Sequence, residues 1–385
     1  MKFLTHAPGT SGADRLRQRL IAAWRGDRPL EPPWNWLLAG AAAAYGGGEC
    51  LSRRWRRPRR VPGCTVISVG NLTVGGTGKT PFSSYLARRL TTMGRRVAII
   101  SRGYRGGLEK TGGVVSDGTR ILADAAAAGD EPLMLAAQLP EIPLLVGHHR
   151  YRSLQRAVHE FHAQVAILDD GFQHIQVQRD LDLVLMDGRA PLGNGRLLPA
   201  GPLREPSRRL QRAHGLILMG DSAPPRPNLP EALLRLKLPL FQASRRAVLR
   251  GVVPARQGPG LTILRQSAGQ IHPLLRQKKI FGFSGIAGNA GFRQILAESG
   301  GRLVGFSDFR DHHMYSPAEL NQIQNAARNC AADLIATTEK DYVRFAELEP
   351  WPLDLAVMGL EIRVHPNHGL DALLAACLAG KGPFR

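Results

Sequence analysis

The chain is 385 residues long, 43% hydrophobic and 21% charged, which is ordinary for a globular protein and long enough for two domains with cores of their own. Its formal net charge of +20 is not ordinary, and points either to an anionic partner (nucleic acid, an acidic membrane surface, a phosphorylated substrate) or to an Arg-rich proteome. Cys50, Cys64, Cys330 and Cys377 are scattered, with no C-x-x-C pair and no local Cys/His cluster, which argues against a zinc module and a disulfide framework and for a reducing, cytoplasmic setting.

The first thirty residues are polar and Arg-rich, and no compact apolar stretch precedes a small-residue cleavage site, so no signal peptide is expected. The segment "NWLLAGAAAAYGGGECL", 35–51, is apolar but short of the about 20 residues a spanning helix needs. "SRRWRRPRR", 52–60, follows, with six arginines and a Trp in nine positions. An apolar stretch beside such a flank suits a segment lying in an anionic membrane interface. A soluble helix packed on its domain, with the arginines solvated, is the alternative.

"CTVISVGN", 64–71, reads as a buried strand of β-branched residues. The loop "LTVGGTGKTP" comes next. Pro81 suits the first turn of a helix that ends near Gly94, and a second strand is expected at 95–103. Further strands are expected at 143–147, 164–170, 182–187 and 215–219, with a helix at 149–162. Alternating strands and helices imply a mostly parallel, doubly wound sheet. A Pro-rich stretch at 220–230 and short strand-like pieces at 241–260 mark a linker region, and a second, smaller α/β unit starts at 279–288. The expected division is an N-terminal membrane-associating segment (1–61), a P-loop nucleotide-binding domain (62–224), a linker (225–275) and a C-terminal α/β domain (276–385).

The loop is the strongest motif. Gly78, Lys79 and Thr80 fit the G-K-[ST] end of a phosphate-binding loop, but Thr73 stands where the pattern has its first Gly. Thr73 costs little there if it is extended, since Gly is obligatory only where φ is positive or the backbone must approach closely. Gly75, Gly76 and Gly78 let backbone N–H groups turn toward phosphate oxygens, and the helix start adds positive partial charge. Thr73, Val74, Gly75, Gly76, Thr77, Gly78, Lys79 and Thr80 are therefore expected to hold the phosphates of a nucleotide, with Lys79 on the β/γ phosphates and the Thr80 hydroxyl on Mg²⁺. "VAILDDGFQH", 165–174, ends a strand in Asp169-Asp170, where a carboxylate can hold Mg²⁺ beside the nucleotide and its neighbour can serve the substrate or the loop. Taken alone, "AGDEPLML" at 128–135 is a helix start with first-turn acids, and the His312-His313 pair is a surface or capping feature without a third ligand. "TTEKD", 337–341, has the wrong spacing for a guanine-reading motif. Aromatics are only 6% and no RNP-like stretch occurs, so nucleic acid is not an expected partner.

"SVGNLTVGGTGKTP", "SRGYRG", "GDEP", "LDDGFQH", "RDLDLVLMDGRAPLGNGRLLPAGPLREP", "FSGIAG", "FRDHHMY" and "TTEKDYV" occur in that order. Together they resemble the tetraacyldisaccharide 4′-kinase family of Gram-negative bacteria, from about residue 30 to 365. The resemblance implies transfer of the ATP γ-phosphate, with Mg²⁺, to the 4′-hydroxyl of a tetraacyldisaccharide 1-phosphate. The product is lipid IVA, in lipid A biosynthesis at the cytoplasmic face of the inner membrane. It implies two α/β/α domains joined by a β-ribbon linker, the nucleotide lying between them, and a membrane-docking segment at the N-terminus; separately, a monomer without a protein partner is expected. It also assigns residues: Asp130 and His312 as catalytic dyad, Asp169, Asp170 and Glu205 in metal and nucleotide handling, and Arg102, Tyr104 and His174 in lipid-substrate contacts. Because Asp130 and His312 fall in different domains of the division above, domain closure is expected to assemble them. The turn "AGNAGF" lacks the Pro that family members often carry there.

Overall fold

The structure is a computed structural model describing residues 12–26, 31–54, 57–220, 229–256, 260, 261, 264, 274–345 and 351–380. Residues 1–11 of the expected N-terminal segment, 55 and 56 of its basic flank, 221–228 of the Pro-rich stretch and 265–273 of the linker lie outside the described residues.

The described chain opens with α1 (Gly12–Arg25) and α2 (Trp34–Arg54), then β1 (Thr65–Asn71), α3 (Lys79–Thr92) and β2 (Val97–Ser101). Next come α4 (Leu108–Thr111), β3 (Gly113–Ser116), α5 (Ala125–Ala128), α6 (Asp130–Gln138) and β4 (Leu144–Val146). After them run α7 (Arg150–Phe161), β5 (Val165–Asp169), β6 (Leu181–Asp187), β7 (Gly215–Gly220), α8 (Glu231–Leu234) and the long β8 (Leu240–Val253). The C-terminal part holds β9 (Lys279–Ser284), α9 (Asn289–Glu298), β10 (Arg302–Asp308), α10 (Pro317–Asn329), β11 (Leu334–Thr338), α11 (Glu339–Tyr342), β12 (Asp354–His365) and α12 (Asn367–Leu378).

Two compact units divide these elements. The P-loop unit takes residues from Gly9–Arg102, Gly147–Arg245 and Ile362–Arg385; the second unit takes Gly103–Val146 and Arg246–Glu361. Residues 103–146, placed by the sequence in the 62–224 domain, thus cluster with the C-terminal unit. The reason is packing: α6 lies against β3, β4 and α11. β8 and β12, neighbours in the sheet order, each pass from one unit to the other; β8 falls in the expected linker (225–275) and β12 in the expected C-terminal domain (276–385). Of the strand-like pieces legible at 241–260, those up to Val253 belong to one continuous strand, β8.

In the P-loop unit the parallel strands run in the order β2-β5-β1-β6-β7. β1 is central, so all but its first residue are buried, which is why its sequence is apolar and β-branched. The chain leaves β1 for β2 and only later fills β5 on one side of β1 and β6 on the other. The strand order therefore reverses at β1, and ligands of such sheets bind outside the carboxyl ends of the strands there. α3 packs on β1, β2 and β5, and α7 on β2 and β5. Leu72, Phe172, Val184, Met186 and Leu216 form one core.

α2 docks on the same unit: the Tyr45 hydroxyl donates to Arg204 O at 3.0 Å, and Arg53 pairs with Glu205 at 2.6 Å. Its other residues leave Trp34 64% and Trp36 70% exposed. α1, unforeseen in the polar N-terminal sequence, is docked by Trp24, whose indole donates to Pro199 O at 3.0 Å. Among the described residues no helix is long and apolar enough to cross a membrane.

The second unit has the parallel order β10-β9-β11-β12, with β3 and β4 as an antiparallel pair. Leu275, Ile280, Leu296, Leu334 and Ala356 share its core. Phe283 stacks on the fully buried Trp351 at 5.7 Å and meets Tyr315 edge-on at 5.6 Å. Ser316 and Glu319 cap α10 reciprocally, a capping box.

Candidate active site

The Gly-rich loop leaves the carboxyl end of β1 and opens α3. Gly78, its N-cap, has φ +86°, and Gly75 has φ +126°; an L side chain would be strained at either position. Thr73 forms an antiparallel bridge with Leu203, so it is extended and tolerates the missing Gly. The strap "LPAGPLREP" fastens the loop: Val74 N–H donates to Pro202 O and Arg204 N–H to Leu72 O, both at 2.8 Å. Lys79 Nζ donates to Asn71 Oδ1 at 3.1 Å and lies 3.6 Å from Asp170 Oδ1. Thr80, in the first turn, is buried.

The adjacent aspartates separate as strand geometry requires. Asp169, the last residue of β5, is buried and accepts from the Ser83 hydroxyl of α3 at 2.8 Å. Asp170 turns out of the strand at φ +53° toward Lys79 and Arg204, whose Nη1 donates to it at 3.1 Å. Burial opposes its charge, but Lys79 and Arg204 hold its carboxyl below the usual carboxylate range. Glu205, expected in metal and nucleotide handling, follows Arg204 in the strap. Its carboxylate, only 1% exposed, is paired with Arg53 at 2.6 Å and Arg212 at 2.8 Å, and burial still pushes its carboxyl up. The Arg53 contact ties Glu205 to α2. Arg102 is exposed at the end of β2; His174 follows the aspartate turn, where its carbonyl takes Arg179 Nη1 at 2.8 Å.

The second unit carries the dyad. Asp130 begins α6 behind Gly129, where φ is +85° and a Cβ would stand 2.8 Å from Tyr104 O. His312 lies in the loop between β10 and α10 at φ +63°, a conformation uncommon for a residue with a Cβ. Its Nδ1 is 2.9 Å from Asp130 Oδ2. Lys340 Nζ lies 3.4 Å from His312 Nε2, and from Asp311 and Glu131 oxygens at the same distance. An ammonium only donates, so the Lys340 contact suits the tautomer with its hydrogen on Nδ1, facing Asp130. Arg344 Nε also donates to Asp130 Oδ2, at 2.8 Å. Both partners converge on Oδ2; among the described residues Oδ1 has none. Burial works against the Asp130 charge, but the His312 hydrogen bond and Arg344 hold its carboxyl below the usual carboxylate range. Tyr104, 56% exposed, stands edge-on to the His312 ring at 6.4 Å.

The dyad is therefore already made within one unit, and the expectation that domain closure assembles it is corrected. Lys340, Arg344 and Asp311 were missed as site residues. Lys340 lies in "TTEKDYV" and Asp311 in "FRDHHMY", stretches that the sequence offers only as part of the resemblance, and Arg344 follows "TTEKDYV" directly. Among the described residues no three or more His, Cys, Asp or Glu side chains form a cation site. A buried Thr80 hydroxyl and the Asp169-Asp170 carboxylates fit instead a hard cation that keeps waters and phosphate oxygens in its shell, as Mg²⁺ does.

A loop of this form at the reversal point of a parallel sheet puts the chain among P-loop nucleotide-binding proteins. The sequence profile of the tetraacyldisaccharide-1-P 4′-kinase family matches residues 34–379, and the chain belongs to that family. A tetraacyldisaccharide 4′-kinase of Syntrophus aciditrophicus (strain SB) is 36% identical over 377 residues, 93% of this chain and 98% of its own. Its counterpart in Geobacter sulfurreducens is 40% identical over 340 residues, 86% of this chain and 87% of its own. A crystal structure of LpxK from Aquifex aeolicus in complex with ATP is similar at TM-score 0.68 and 27% identity, over 94% of this chain and 99% of that one.

Proposed function

We propose that the chain transfers the γ-phosphate of ATP to the 4′-hydroxyl of a tetraacyldisaccharide 1-phosphate, the lipid IVA-forming step of lipid A biosynthesis, and that Asp130 is the base. Family membership supplies the reaction class. The observation that carries the residue assignment is the Asp130 carboxylate, ionised by His312 and Arg344 with Oδ2 engaged and Oδ1 left to accept.

The chemistry divides between this chain's residues. The Gly-rich loop and Lys79 hold the triphosphate by backbone N–H groups and one ammonium. Thr80, with Asp169 or Asp170, would hold Mg²⁺, which neutralises phosphate charge when bound. The 4′-oxygen attacks the γ-phosphorus; an O–P bond forms, the bond to the β–γ bridging oxygen breaks, and ADP leaves. The hydroxyl proton goes to Asp130 Oδ1. His312 does not take it through Nε2, which is occupied by Lys340; it orients the carboxylate through Nδ1–H. Tyr104, beside His312, touches the sugar, and Arg102 and His174 serve the anionic lipid.

The exposed Trp34 and Trp36 of α2 and the net charge of +20 support work on the anionic cytoplasmic face of the inner membrane. The test is an assay with γ-labelled ATP, Mg²⁺ and tetraacyldisaccharide 1-phosphate in detergent micelles. Labelled lipid is expected, with little free phosphate in a lipid-free control. Phosphate release without lipid, and no labelled lipid, would replace this reading with a P-loop ATPase.

A further inference from the structure

We propose that Arg344 is the positioning residue of Asp130: it fixes Oδ2 and aligns the dyad, leaving Oδ1 as the proton acceptor. This rests on the kinase reading above and deepens it.

The guanidinium is itself anchored. Its side chain is wholly buried, and Nη1 donates to Asp341 Oδ1 at 2.8 Å, to Gly285 O at 3.1 Å and to His313 O at 3.3 Å. Nε and Nη2 at the other edge both lie 2.8 Å from Asp130 Oδ2. A planar fork can hold two partners at opposite edges in fixed relation, which an ammonium cannot. Gly285 O also accepts the His312 amide at 3.2 Å, so the carbonyl Arg344 grips carries the backbone of the other dyad member. Behind it Asp341 is locked by the Thr338 hydroxyl at 2.6 Å, the Tyr315 hydroxyl at 3.0 Å and Gly285 N–H at 3.0 Å. Gln138, at the far end of α6, donates to Glu339 at 2.8 Å. The segment 339–344 therefore holds the helix of Asp130 at both ends.

Arg344 also sets basicity. The charged groups around Asp130 are His312 and Arg344 in direct contact and Glu131 next in its helix. Lys340 and Asp311 stand on the far side of His312, and Asp341 behind Arg344. Arg344 is the fixed cation among those touching Asp130. Removing it loosens the carboxylate and raises its proton affinity, so two separable changes follow.

The test is the pH profile of kcat in micellar lipid. Arg344→Met leaves Asp341 buried and unpaired and risks misfolding, so it is combined with Asp341→Asn; Arg344→Lys is the second variant. The double variant is expected to lose about 10²-fold in kcat, the cost of a misplaced reacting group, with KM for ATP unchanged. The acid limb of its profile moves to higher pH. Arg344→Lys keeps the limb near wild type and still loses kcat, since it keeps the charge and loses the fork. The limb position does not depend on how much of a variant is folded, so a merely structural role would leave it in place. An unmoved limb in the double variant, with Asp130→Asn inactive, overturns the role of Arg344 alone. Wild-type kcat in Asp130→Asn overturns the base assignment and this proposal together.

Discussion

Replacing Lys79 by Ala removes the ammonium beside Asn71 and Asp170. Transfer should fall by about 10²–10³-fold, the worth of one charge-stabilising donor, in the γ-label assay; wild-type transfer would show that Lys79 does not meet the phosphates. The pH behaviour of Asp130 follows from its depressed proton affinity. A carboxylate held below its ordinary range adds stability above its unfolded pKa and loses it as pH falls through the lower folded value. The Tm gap between wild type and Asp130→Asn should therefore close on acidification; a gap constant with pH would mean the ion pairs contribute nothing. Lys79 was legible because its meaning is local: a strand, glycines and a helix start within a dozen residues. Asp130 and His312 were not, since they meet across 182 positions, and Arg344 reaches Asp130 across 214. Alone, each reads as a helix start or a surface group, and only the order of the motifs pointed to the dyad.

At the scale of elements, α10 shows what a local signal can do. "SPAELNQIQ" carries a capping Ser, Pro at the first turn and Glu three residues on, and the structure has the full box at Ser316 and Glu319. Ser316→Ala should cost about 1 kcal/mol, in the range for a lost N-cap, readable as a lower Tm; no shift would mean the cap is idle. His313 Nε2 lies 3.0 Å from the same Glu319, so the cap also steadies the loop carrying His312. The central strands were legible by apolar runs, because both faces of a parallel sheet are covered. β8 was not: its burial alternates irregularly over fourteen residues, so the sequence breaks into pieces where the backbone does not. α5 and β3 are four residues each, too short for any period.

At the scale of the molecule, the interleaving of the units escaped the sequence because a domain boundary drawn along the chain cannot express a segment that returns. Residues 103–146 sit in sequence between β2 and α7, yet their helix α6 packs on α11, two hundred residues further on. The excess charge and the exposed α2 tryptophans belong to this scale too. Trp34→Ala with Trp36→Ala should weaken binding to phosphatidylglycerol vesicles by at least about tenfold, given about 1.5–3 kcal/mol per large apolar side chain buried, and added salt should weaken wild-type binding further. Unchanged vesicle binding would assign α2 to packing alone. The most direct test of the whole account is γ-phosphate transfer to the tetraacyldisaccharide 1-phosphate by wild type and Asp130→Asn, with ATP affinity measured on both. The account predicts equal ATP affinity and a turnover lower by about 10²–10⁴-fold in the variant, the range for a general base. Weakened ATP binding with unchanged turnover would contradict it.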